Sequence, residues 1–112
     1  MVHYMNLNPQ PFALIAQGQK TIELRLKDEK RQKIAIGDII VFSCGEQTMR
    51  TQVLALHPFA DFEELYRNLP LDQCGYLPEE LLNASPKDME VYYSPEQQKK
   101  YGVLGIEIER IE

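Results

Sequence analysis

A chain of 112 residues, 44% of them hydrophobic, has the length and composition of one domain folded round one core. Seventeen acidic against twelve basic residues leave a net charge of −5, which excludes a protein that coats nucleic acid through its overall charge but not one with a small basic cleft. No run is apolar enough to span a membrane, and Met1-Val2-His3-Tyr4-Met5 is not a basic stretch followed by an apolar block, so the expected location is the cytoplasm.

In chain order, Val2 to Leu7 reads as a short apolar strand. Asn8-Pro9-Gln10-Pro11 then offers a cap and prolines suited to a first helical turn, predicting a helix over about residues 10–17 with Phe12, Ile15 and Ala16 on one face. Gly18 stops it. Lys20 to Leu26 alternates as a strand does, with Ile22, Leu24 and Leu26 on one side and Thr21, Glu23 and Arg25 on the other. Lys27 to Lys33 is almost wholly charged, either a solvated loop or a basic rim beside a cleft. Gly37-Asp38 marks a turn, Ile39 to Cys44 a buried strand, Cys44-Gly45-Glu46-Gln47 a hairpin turn, and Thr48 to His57 the returning strand. Pro58 is expected to end that pairing.

Asp61 caps a helix over about residues 61–68, with Phe62, Leu65, Tyr66 and Leu69 buried and Pro70 closing it. Short helical turns follow near Pro78, with Leu81 and Leu82 buried, and after Ser85-Pro86, with Met89, Tyr92 and Tyr93 as the apolar side. Ser94-Pro95-Glu96-Gln97 repeats the capping signal up to Gly102. Val103 to Ile111 alternates again as a closing strand. This order predicts an α+β domain over residues 1–112, a small, curled, mostly antiparallel β-barrel with flanking short helices.

Few kinds of chemistry fit. Cys44 and Cys74 form no close pair, and with His3 and His57 they lack the spacing of a zinc site, so two reduced thiols and no metal are expected. No glycine-rich phosphate loop and no histidine-based triad is present. What remains is the polar side of the Lys20–Leu26 strand: a hydroxyl, a carboxylate and a guanidinium in a row, with Lys20 at its mouth. Such a row is either a solvated face with local ion pairs or the wall of a site.

Gly18-Gln19-Lys20-Thr21-Ile22-Glu23-Leu24-Arg25 fits the pattern G-x-K-x-x-E-x-R. With the preceding helix, Ile36-Gly37-Asp38 after it, and Tyr92-Tyr93-Ser94-Pro95-Glu96 through Tyr101-Gly102-Val103-Leu104, the chain resembles the ASCH domain family over nearly its whole length, in particular its small stand-alone bacterial members. The resemblance implies a PUA-like β-barrel whose cleft holds the motif residues and binds RNA, a nucleoside or a nucleotide, without a cofactor. On the binding alternative, Lys20 and Arg25 hold a phosphate or base edge and Glu23 accepts from a base amino group. The implied ligand-binding set is Gly18, Lys20, Thr21, Glu23, Arg25, Tyr93 and Ser94. Some relatives that the chain resembles are amidohydrolases acting on N4-acetylcytidine, and some are ribonucleases. On that alternative Lys20, Glu23 and a later glutamate, Glu79 or its neighbour Glu80, are catalytic. The amidohydrolases carry a threonine where Glu23 stands here.

Overall fold

Gly45 takes φ 60°, a left-handed conformation that glycine adopts without strain, and it turns β3 (Ile39–Cys44) back into β4 (Gln47–Phe59). In this computed structural model, which describes residues 1–111, that hairpin is the middle of a five-stranded sheet. Residue 112, the last of the span read as one domain, lies outside the described residues. The other strands are β1 (Val2–Asn6), β2 (Ile22–Leu26) and β5 (Val103–Arg110), in the spatial order β1-β3-β4-β5-β2. β2, β5, β4 and β3 pair antiparallel in turn, whereas β1 runs parallel to β3. That parallel pair was not part of the sequence expectation. The chain between Asn6 and Ile39 is long enough for the crossover a parallel pair requires.

The sheet curls into a half-barrel. Inside it, Phe42, Ile40, Met49, Val53, Ile106 and Ile108 form a core with Ile15 of α1 (Pro9–Ala16), and Phe12 packs at its edge. Outside β2, a second core joins Ile22, Leu24 and Leu26 to Phe62 and Leu65 of α2 (Phe62–Asn68). Asp61 caps α2 as the sequence predicts, its carboxylate accepting from the Glu64 amide at 2.9 Å. Ser94 caps α3 (Pro95–Tyr101) in the same way. Asn8, by contrast, makes no side-chain cap.

Other sequence expectations are corrected as well. Pro58 does not end β4, which runs on to Phe59 and pairs Pro58 with Leu104. β3 accompanies β4 only from Gln47 to Gln52 and the Gly37–Asp38 turn bonds Val53, so at Pro58 a missing N–H breaks no ladder among the described residues. A register shift between Val53 and Ala55 also turns Leu56 toward the inner core. Leu81 and Leu82 are not buried. They lie in a 3-10 turn, Pro78–Asn83, and Leu82 is 96% exposed; Tyr92, read as part of an apolar side, is also exposed.

Candidate functional site

β2 is covered on both faces. Glu23 lies opposite Ile106, and Arg25 opposite Leu104, on β5, so the two charged residues project to the same side as the inner core. They stand at the open seam of the half-barrel, between its edge strands β2 and β1. Arg25 closes part of the seam by donating from a terminal nitrogen to the Asn6 carbonyl at 3.0 Å.

Glu23 is 3% exposed and holds two cations, one on each oxygen. Lys20 Nζ lies 2.7 Å from Oε1 and Arg25 Nε 2.8 Å from Oε2. Burial by itself would raise the Glu23 pKa, but the adjoining Lys20 and Arg25 charges and hydrogen bonds outweigh it and hold the carboxyl below its ordinary range. Lys20, itself 9% exposed, passes over Gly75. Gly75 has φ 110°, a conformation that favours glycine, and a Cβ there would sit 3.2 Å from the lysine Cδ, a tight contact.

These side chains form one wall of a cleft of about 610 Å³. Asn6, Leu7 and the start of α1 supply a second side. The third comes from the stretch between α2 and α3, with its short 3-10 turns, which carries Cys74, Tyr76, Asp88, Met89, Tyr92 and Tyr93. Tyr76 donates to Asp88 Oδ2 at 2.7 Å and so accepts from Tyr66, whose hydroxyl is 2.6 Å away. Burial pushes the Tyr66 phenol up to about 12. Burial, then its bonds to Tyr66 and Asp88, push Tyr76 higher still. Burial raises Tyr93 too, and raises the Cys74 thiol to about 12 despite the nearby Lys20 charge. All four side chains therefore stay protonated at neutral pH.

Of the residues singled out in the sequence, Lys20, Glu23, Arg25 and Tyr93 line this cleft. Tyr93 stacks on Phe62 at 6.0 Å, and the buried Gln98 donates to its carbonyl. Gly18, Thr21, Ser94 and Glu79 are not among its lining residues. Gly18 terminates α1 at φ 83°, Thr21 donates to the Gln73 side chain, and Ser94 caps α3. Glu79 is exposed on its 3-10 turn; it is Glu80 that reaches the cleft, while accepting from the Leu77 amide at 2.8 Å. Lys27, Lys30, Arg31 and Lys33 do not line it either, and Arg31 pairs with Asp28. Tyr66, Cys74, Gly75, Tyr76 and Asp88 went unread, because they reach the cleft through long-range packing that leaves no spacing signal. The isolated Gly75 was the one local cue. His3 bonds Asp38 and His57 bonds Glu107, and no three potential ligands converge on a metal position among the described residues.

The sequence model of the ASCH domain matches residues 5–112. The chain belongs to the ASCH domain family. This ASCH domain is 35% identical to the hypothetical protein PH0355, whose crystal structure superposes with a TM-score of 0.84 over 99% of this chain and 100% of that one. It is 34% identical to PF0455 from Pyrococcus furiosus, with a TM-score of 0.76 to the solution NMR structure, over 100% of this chain and 99% of that one. The ZmASCH protein of Zymomonas mobilis, crystallised as a tyrosine-to-phenylalanine mutant, shares the fold at 14% identity, with a TM-score of 0.67 over 96% of this chain and 68% of that one. No curated protein matches the chain.

Proposed function

We propose that this ASCH domain is a binding module whose cleft takes one nucleotide unit of an RNA strand. The observation that carries this reading is the doubly paired Glu23. A buried ion trio is a weak source of stability, since apolar side chains of equal size usually serve the fold as well. Its place at the wall of a cleft therefore argues for recognition. Arg25 retains donors beyond those used on Glu23 and Asn6, and Lys20 keeps two of its three, all available to a phosphate or a base edge. The volume lies within the range of small-molecule sites, and the exposed Tyr92 ring on the wall offers a stacking surface.

The hydrolase alternative has one observation in its favour, the direct 2.7 Å contact between Lys20 and Glu23, which is the geometry of a proton-transfer pair. The electrostatics run against it. A carboxylate held below its ordinary range by two cations is a poor base near neutral pH, and a thiol pushed to about 12 is not a nucleophile.

Two measurements test the reading. Titration of a fluorescent single-stranded RNA is expected to show saturable, salt-dependent binding. Arg25→Ala should weaken it and flatten the salt slope, by about one if a single phosphate contact is lost. Acetate release from N4-acetylcytidine is expected to stay at background. Turnover by the wild type that disappears in Lys20→Ala would replace the binding module with an amidohydrolase, because losing a general acid or base typically costs ~10²–10⁴ in rate.

A further inference from the structure

β1 is an edge strand, and its outer edge is not bare. Met1 accepts from Ile39 through its carbonyl, so the odd-numbered residues of β1 point their backbone groups toward β3 and the even-numbered ones point theirs outward. Two of those outward carbonyls are covered by cations. Arg25 donates to Asn6, and Lys30, from the charged loop, donates to Tyr4 at 2.8 Å. Carbonyls two residues apart on one strand are separated by ~6.6 Å, comparable with the step between consecutive phosphates of an extended single strand. Asn6 lines the cleft, so this pair of cations begins at the cleft and leads away from it. Beside the outer cation stands Tyr4, 65% exposed on the outward-facing side of β1.

We propose that the β1 edge is a second nucleotide-binding position, continuous with the cleft. An RNA strand whose one nucleotide occupies the cleft leaves past Arg25, sets its next phosphate on Lys30, and stacks the neighbouring base on Tyr4. The proposal rests on the RNA-binding reading of the cleft and extends it by one position. Lys30 uses a single N–H on the Tyr4 carbonyl and keeps two for phosphate oxygens. An aromatic face beside a basic track is the combination that holds single strands without reading their sequence. The loop bearing Lys30 also bears Lys27 and Lys33, so the local charge favours a polyanion although the whole chain is acidic.

The test measures affinity against strand length, by anisotropy with a labelled mononucleotide, trinucleotide and hexanucleotide of RNA. The wild type is expected to gain about tenfold from mononucleotide to trinucleotide, as one stacked base and one phosphate contact provide, and little more from there to the hexanucleotide. Lys30→Gln and Tyr4→Ala lie outside the cleft and should leave mononucleotide affinity unchanged while removing most of that gain. Lys30→Gln should also lower the salt slope for the trinucleotide by about one. Mononucleotide binding with no gain on lengthening overturns the β1 position and leaves the cleft reading intact. A gain that survives both substitutions overturns it as well. If RNA of no length binds, both readings fall together.

Discussion

Glu23 is the residue that ties this wall of the cleft together, holding Lys20 on one oxygen and Arg25 on the other. Its ionisation is the point at which the arrangement meets solvent conditions. Because its folded pKa lies below its unfolded value, it contributes stability that is fully present above the ordinary carboxylate range near 4.5 and is lost as pH falls through the folded value. A carbon-detected NMR titration of its carboxyl should therefore give a midpoint below 4.5. A midpoint above that value would mean that burial, not the two cations, dominates. Substitution separates the fold from the function. Glu23→Ala strands Lys20 and Arg25 as buried like charges and should destabilise the protein by about 3–5 kcal/mol in urea denaturation. Lys20→Met, Glu23→Leu and Arg25→Met together should restore most of that stability and still bind no RNA, because an apolar trio packs without offering donors.

At the level of elements, β2 shows what a sequence can and cannot disclose. Alternation identified it as a strand, and the same local logic found the β3–β4 hairpin, the Asp61 cap and the closing strand. Alternation could not say that the polar side of β2 faces inward, since that depends on α2 covering the other side and on β2 being an edge. The same limit explains Pro58: a proline's effect on pairing depends on which neighbour is missing, and only the assembled sheet shows that. In the stretch between α2 and α3 the apolar residues lack a regular period. Its path exposes Leu82 while sending Tyr76 and Asp88 into the cleft. Within it, Gly75→Ala forces a side chain into φ 110° and against Lys20. Thermal denaturation should show a loss of about 1–3 kcal/mol. RNA affinity should fall as well, because Lys20 must give way by a few tenths of an ångström beside Glu23. Unchanged affinity would show that the position of Lys20 is not set by this contact.

The whole molecule is organised by contacts between distant parts of the chain. β2 completes its ladder only with β5, where Ile22 meets Glu107, and β5 also lies against β4, so the last strand in chain order sits inside the sheet. Domains dominated by such non-local pairing fold on the millisecond-to-second scale, and stopped-flow refolding should place this one there. A sub-millisecond rate would imply that the β3–β4 hairpin and the helices carry the rate-limiting step alone. The interior position of β5 also has a consequence during synthesis. The ribosome releases Lys20, Glu23 and Arg25 early, yet the surface that sets them side by side waits for Val103 to Arg110 to emerge. Until then the motif is a run of charges on an unpaired segment, and a partial chain carries these three residues without the cleft wall they form.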